Sequence, residues 1–322
     1  MLSKVAILKE KGRFDIETRD IAIKENEVLI KVEVCGLCNW ELNFFKGILG
    51  KFPMTLGHEW AGTVVEMGAK TTKLKVGDRV AVVPGAGDGL KGFAQYAPIA
   101  EDHCFLISDD IDLKKAFLEP MKCIITVLRA SAPEAGDYGL VMGCGPMGMW
   151  CIQALAGKYL AGLIAVDIVD DKLELAQKYG ATHVINSKTE DLEERVKEIT
   201  GGHMVDFAIE GTGIPAVLEL TARTLRTGRG RLVLMSYHES KAQQFDFRIF
   251  SDLGIQMYNP HPRYSLDQLE DARRAVLLIN NHTFVQDDLL THKFTLDQIQ
   301  EAFDTLENKP KGYMKGVVYP ND

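Results

Sequence analysis

The stretch YGLVMGCGPMG, Tyr138–Gly148, decides the fold. A short apolar run ends in G-x-G-x-x-G and passes directly into PMGMWCIQALAGKYL, so a strand, a tight turn and a helix follow one another without a linker. Each glycine has its own reason. Gly143 makes the tight turn, Gly145 lets the backbone approach a pyrophosphate, and Gly148 lets the helix pack close to the strand. The helix opens at Pro146 and Met147; Pro146 has no N–H, but the first turn from Met147 onward offers free N–H donors and a partial positive charge to phosphate. The next strand, LIAVD, ends at Asp167. A carboxylate there accepts hydrogen bonds from ribose hydroxyls and repels a 2′-phosphate, so NAD is expected over NADP. Ile168-Val169-Asp170 supply no arginine to rescue a phosphate, and Lys172 is within reach of the same ribose. The bland alternative is a tight βα turn in some other doubly wound protein. The complete strand–turn–helix–strand–Asp unit favours the nucleotide.

Outward from this motif the pattern repeats. From about residue 121 to 262, apolar runs (LIAVD, HVIN, MVDFAIEG, RLVLMS, GIQMYN) alternate with amphipathic helical runs (DDKLELAQKYG, EDLEERVKEITGG, PAVLELTARTLRTG). That alternation predicts a parallel sheet covered on both faces. Residues 1–120 read differently. SKVAILKE, EVLIKVEV, AGTVVEMG, DRVAVVPG and CFLIS are strand-like, with turn residues between them, which predicts a β-rich barrel or sandwich. Residues 263–322 return to mixed structure, with helices expected over SLDQLEDARRAVLLINN and KFTLDQIQEAFDTLENK and a final strand in KGVVYP. The expected organisation is therefore α/β, with one domain from 1–120 and 263–322 and a second inserted at 121–262.

A chain of 322 residues can bury a sizeable core without disulfides or a structural metal. The formal net charge of −8, with no Lys/Arg cluster, argues against a nucleic-acid partner. No apolar run reaches the ~20 residues that span a bilayer, and MLSKVAILKEKGRF lacks the features of a signal peptide. A cytoplasmic location follows as the expectation. The cysteines at 35, 38, 104, 123, 144 and 151 then read as thiols or metal ligands.

Two segments of the first region concentrate metal-ligating residue types: CGLCNWEL, Cys35–Leu42, and GHEWAGTVVEMG, Gly57–Gly68. A cysteine thiolate and a neutral imidazole suit zinc. The CxxC of the first segment has no second cysteine pair to complete a zinc knuckle. GHExxGxVxxxG, then VGDRVAV, then the G-x-G-x-x-G unit resembles the zinc-dependent medium-chain dehydrogenase/reductase family, the alcohol and polyol dehydrogenases, over almost the whole chain. The resemblance implies a GroES-like β-rich catalytic domain, a Rossmann domain, and a cleft between them where nicotinamide meets zinc. It further implies that Cys38, aligned with the cysteine of the family's G-x-C-x-[ST]-D segment, is the first zinc ligand, and His58 the second. Cys35 is then a spare, buried thiol. Glu119, in AFLEPMKC, stands where the alcohol dehydrogenases carry a ligand cysteine, as in the polyol and threonine dehydrogenase branches. Glu59 and Glu119 thus compete for the third position. Glu41 is expected to hold the second nitrogen of His58. Zinc would act as a Lewis acid on the substrate hydroxyl, lowering its pKa, while hydride passes from carbon to nicotinamide.

The chain departs from this family pattern twice. The interval PGAGDGLKGFAQYAPI contains no cysteine, so no structural zinc is expected and at most one zinc per chain. Trp40 stands where a serine or threonine normally starts the proton relay. An indole N–H donates but does not accept, so the proton must leave by another route, with Glu119 or a water-linked path as candidates. Trp40 either walls the pocket, offering a flat face to a sugar ring, or packs behind the site. The resulting expectation is a zinc- and NAD-dependent dehydrogenase acting on a secondary alcohol of a polyol, sugar or similar small molecule. The competing readings are a zinc-free reductase of the same superfamily and a non-catalytic NAD-binding protein. The family resemblance implies a dimer or tetramer.

Overall fold

The computed structural model describes residues 1–85, 89–157, 159–237 and 245–322. The first part of the chain forms β1 (Leu2–Glu10), β2 (Arg13–Asp20), β3 (Glu27–Gly36), helix α1 (Asn39–Phe45), β4 (Met54–Thr55), β5 (Glu59–Met67), β6 (Arg79–Val82), β7 (Tyr96–Ala100), β8 (Cys104–Leu106) and α2 (Glu119–Ser131). Then come β9 (Tyr138–Met142), α3 (Pro146–Leu155), β10 (Gly162–Asp167), α4 (Asp170–Lys178), β11 (His183–Asn186), α5 (Leu192–Ile199) and β12 (Phe207–Glu210). The chain continues through α6 (Pro215–Arg223), β13 (Arg231–Leu234), α7 (Arg248–Leu253), β14 (Gln256–Tyr258), α8 (Gln268–Asn280), β15 (Leu290–Thr295), α9 (Ile299–Asn308) and β16 (Lys315–Tyr319).

These elements divide into two units, Met1–Met121 with Ala272–Asp322, and Lys122–Asp271. The return to the first unit comes at Ala272 rather than at 263. Asp271 explains the difference: it is buried, accepts from Ser265 at 2.5 Å and Thr126 at 3.2 Å, and pairs with Arg129. These contacts keep the chain with the second unit through Asp271.

In the first unit, β3 organises the strands. It is antiparallel to β5 along one edge, and to β7 near its start and β16 near its end along the other. The path runs β15-β16-β3-β5-β6-β8, and a separate three-stranded sheet runs β2-β1-β4. Leu8, Ile30, Trp60, Phe93 and Phe303 lie in the apolar core of this unit. One expected helix is partly strand. KFT belongs to β15, with Phe294 buried and Lys293 exposed, and the helix begins only at Ile299. Thr295 and Gln298 form a capping box that separates the two.

In the second unit six parallel strands take the order β11-β10-β9-β12-β13-β14. The chain leaves β9 toward β10 on one side, and β12 lies on the other, so a topological switch point falls between β9 and β12. The apolar runs of LVM and LIAV are buried, as a sheet covered on both faces requires. Local signals set the helix starts. Proline opens α3 and α6, and the Asp191 side chain caps α5 by accepting from Glu194 N–H. No helix among the described residues is long and apolar enough to cross a membrane.

Candidate metal and nucleotide sites

The strand register of the first unit assembles a compact cluster. Gly36, the last residue of β3, pairs with Glu59, the first of β5. Cys38 therefore follows one strand end and His58 precedes the other, at the same end of the ladder. Cys38 occupies the N-cap of α1 without making a side-chain cap hydrogen bond, so its thiol remains for other work. A Cβ on Gly36 would overlap Glu59 Oε2, so a side chain here would displace the Glu59 carboxylate from its place. The ligand atoms of Cys38, His58 and Glu59 all lie within 4.8 Å of one another.

The surroundings orient these donors. Glu41 is fully buried; its Oε1 accepts Gly57 N–H at 2.7 Å and lies 2.9 Å from His58 Nδ1. A carboxylate can only accept, so Nδ1 carries the proton and Nε2 is left as the ligating nitrogen. Glu59 Oε1 lies 3.9 Å, and Glu119 Oε2 3.8 Å, from that Nε2. Lys315 on β16, itself buried, sets its Nζ 2.6 Å from Glu59 Oε2 and donates to Leu37 O at 3.0 Å. Trp40 is 45% exposed and edge-on to His58, with ring centroids 5.4 Å apart. It is thus a wall beside the cluster rather than a group packed behind it.

The titration behaviour of the metal-free protein follows from burial and charge. Burial pushes the Cys38 thiol up and Glu59 adds to this, while His58 opposes it. Burial pulls His58 down, but Glu41 and Cys38 outweigh it and hold the imidazole well above its ordinary value. Cys35 is buried and its thiol is driven well above the usual range, by burial first and by Glu41 and Glu59 second. It pairs with Trp60 in the ladder and belongs to the apolar core of the unit. Burial also pulls Lys315 down, and Glu59 and Cys38 outweigh it, so the ammonium stays charged.

A thiol, an imidazole with a fixed tautomer and a carboxylate at this spacing fit a zinc ion. Glu41 Oε2 is buried without a hydrogen-bond partner among the described residues, and Glu59 Oε2 has only the nearby Lys315 ammonium as a charge partner. A cation bound to His58 would give the Glu41 carboxylate an opposite charge to face through the ring.

In the second unit the glycine motif has the geometry that a dinucleotide requires. Gly143 has φ +95°, a conformation that favours glycine. A Cβ on Gly148 would overlap Gly143 O, whereas a Cβ on Gly145 would meet nothing within 4 Å. Gly145 thus leaves an open approach at the start of α3, beside Pro146 and Met147. Asp167 Oδ2 accepts Cys144 N–H at 2.8 Å, and Oδ1 accepts Ile168 N–H at 2.8 Å and Val169 N–H at 3.1 Å. The carboxylate therefore ties the glycine loop to the end of β10. Lys172, in the first turn of α4, is half-buried and adds positive charge beside Cys144.

Sequence reasoning missed Gly36 and Lys315. A lysine inside an otherwise apolar terminal strand, KGVVY, was the available signal for Lys315. Gly36 stands at the glycine of the G-x-C segment, but its contact with Glu59 shows only in the register.

Comparison with known proteins agrees with both units. Residues 24–109 match the alcohol dehydrogenase GroES-like domain, and residues 146–260 match the zinc-binding dehydrogenase domain. The chain belongs to the zinc-type medium-chain dehydrogenase family, with a GroES-like unit and a Rossmann-like parallel sheet. It is 32% identical over 331 residues to (R,R)-butanediol dehydrogenase of Bacillus subtilis (strain 168), covering 92% of this chain and 93% of that protein. It is 29% identical over 349 residues to sorbitol dehydrogenase of the same organism, covering 99% of this chain and 97% of that protein. The crystal structure of 2R,3R-butanediol dehydrogenase from Bacillus subtilis superposes with a TM-score of 0.85 at 29% identity, covering 99% of this chain and 100% of that one.

Proposed function

We propose that this protein is an NAD-dependent dehydrogenase that oxidises a secondary alcohol of a polyol, sugar or related polar metabolite, with one zinc ion held by Cys38, His58 and Glu59. The observation that carries the reading is the convergence of those three ligand atoms within 4.8 Å, with His58 fixed by Glu41. The names of the relatives, sorbitol and butanediol dehydrogenase, support a substrate with neighbouring hydroxyl groups. A zinc-free reductase would have no use for a thiol, an imidazole and a carboxylate at this spacing.

When bound, zinc supplies Lewis-acid polarisation of the substrate oxygen, and NAD supplies the hydride acceptor. The rest falls to the chain. Glu41 holds one proton of His58 on Nδ1, so that Nε2 is the nitrogen that gives up its proton to a metal, and Lys315 holds one oxygen of Glu59 while leaving the other toward His58. Trp40 presents an exposed apolar face beside the cluster. Glu119, 3.8 Å from His58 Nε2, is the carboxylate assigned to take the alcohol proton, because the indole at position 40 has no acceptor. Asp167 selects against a 2′-phosphate while its loop receives the pyrophosphate.

The test is the absorbance of NADH during a screen of polyols, diols, sugars and amino alcohols, with zinc content measured on the same preparation. Turnover on polar secondary alcohols at about one zinc per chain is expected. Full turnover in a preparation that contains no zinc would overturn the assignment.

A further inference from the structure

A buried acid in the second unit remains unused by this scheme. Glu210 ends β12 and is 0% exposed. Its neighbours in the sheet are Met142 at the end of β9 and Leu234 at the end of β13. The carboxylate turns back on its own chain. Oε1 accepts Thr212 N–H at 2.7 Å, Gly213 N–H at 3.1 Å and the Thr212 hydroxyl. That hydroxyl in turn accepts Ile214 N–H at 3.1 Å. One buried oxygen thus fixes the whole turn from Gly211 to Ile214, and it fixes the hydroxyl hydrogen of Thr212 as well.

The turn stands directly against the nucleotide motif. A Cβ on Gly143 would lie 3.0 Å from Thr212 Cγ2 and 3.4 Å from Thr212 N, so the first glycine of the motif and this turn are in contact. Gly211 N–H donates to Met142 O at 2.8 Å, which ties the turn to the strand that feeds the motif. The location matters because β9 and β12 flank the topological switch point. In such sheets the ligand lies across the carboxyl ends of the strands at that point. Asp167 and β10 lie on one side of β9 and mark the adenosine half. The other half of a dinucleotide must cross to the β12 side, where this turn waits.

We propose that Glu210 is a positioning residue for the cofactor: it holds the Gly211–Ile214 turn as the support for the nicotinamide half, without touching the cofactor itself. The inference rests on the reading of the second unit as a dinucleotide-binding unit. A buried carboxylate costs desolvation, and three hydrogen bonds to one oxygen offset that cost while pre-organising the turn. An apolar residue would fill the space more cheaply but leave two N–H groups and a hydroxyl unpaired.

Binding of NADH and of ADP to the full-length protein tests this, read by NADH fluorescence and by calorimetry. Glu210→Leu is expected to weaken NADH by about tenfold or more, a loss matching one or two hydrogen bonds, and to leave ADP within about twofold. Glu210→Gln keeps the acceptor oxygen and should recover NADH binding to within about threefold of the parent. Thr212→Val removes the hydroxyl with little change in volume; it should show the same split between NADH and ADP, and it stands in if Glu210→Leu does not fold. A merely structural role would weaken both ligands together, and unchanged NADH binding in Thr212→Val and Glu210→Leu would equally overturn the proposal. Failure of the parent protein to bind either ligand would instead overturn the dinucleotide reading on which it rests.

Discussion

Replacing Lys315 by methionine tests the charge logic of the metal cluster. Lys315 Nζ and Glu59 Oε2 are 2.6 Å apart, with their side chains 7% and 3% exposed. Their Coulomb attraction is about 6 kcal/mol at an effective dielectric of about 20, and desolvation of both ions consumes much of it. The substitution measures something else, the cost of leaving Glu59 buried beside Cys38 without its cation. Breaking a buried pair in this way costs about 3–5 kcal/mol. At roughly 2–4 °C per kcal/mol, melting of the first unit should fall by about 6–20 °C in metal-free protein. Zinc held by Glu59 as proposed would give it another cation, so the deficit should shrink to less than half in zinc-loaded protein. The pH dependence has a definite sign. The folded-state pKa of Lys315 is raised, so its contribution is complete below the unfolded value and fades only as pH rises through the folded one. The deficit should therefore be flat between about pH 6 and 9. Thermal melts of both variants, with and without zinc, at several pH values check the whole argument. A deficit under about 1 kcal/mol, or one that zinc leaves unchanged, would show that the pair is not what balances Glu59.

Three further predictions concern the other groups. Cys38→Ala should lose zinc and turnover, whereas Cys35→Ala should retain both at a cost of about 1 kcal/mol for a small cavity; the reverse pattern in metal analysis would reassign the ligand. Gly145→Ala should fold like the parent but lose NADH binding, because its Cβ projects into open space, whereas Gly148→Ala should destabilise the second unit by meeting Gly143 O; equal melting temperatures for the two would contradict this. Zinc affinity should rise with pH, since Cys38 and His58 are both held above their ordinary values and must lose protons to bind metal. Chelator competition between about pH 6 and 8 should show up to about tenfold per pH unit for each proton released, and a flat profile would refute the proton count.

How much of this was legible in the sequence depends on the range of the forces involved. The second unit was readable because each βα repeat carries its own apolar period, and Gly143–Gly148 with Asp167 is a local motif. Local signals failed where an unusual residue stood at a familiar position. Helix α1 went unassigned because Cys38 holds the N-cap in place of a capping side chain. The tertiary partners were out of reach altogether. Gly36 meets Glu59 only through strand register, and Lys315 reaches Leu37 across 278 residues of sequence. Asp167 shows a subtler gap. Its expected role faces the ribose, yet the structure also uses it to hold Cys144 N–H and its own turn. Asp167→Gly would therefore loosen the glycine loop as well as relax nucleotide choice. Asp167→Asn is the better probe of charge alone, since it keeps acceptor capacity at the loop.

Trp40 connects the departure in sequence to the chemistry. Trp60 and Trp150 are fully buried, while Trp40 is 45% exposed and set edge-on to His58. Phe44, 4.7 Å away between ring centroids, supports it from behind. A hydroxyl at this position would combine two tasks, touching the substrate and passing on its proton. The indole can perform only the first, because it donates and does not accept. The proposed function gives the second to Glu119, a carboxylate whose Oε2 lies 3.8 Å from Nε2 of His58. On the proposed function, two residues would share what a single hydroxyl would otherwise do. An alcohol bound here would meet a flat carbon surface on one side and a carboxylate on another. That pairing suits a substrate with a C–H face as well as hydroxyl groups, as polyols and sugars have.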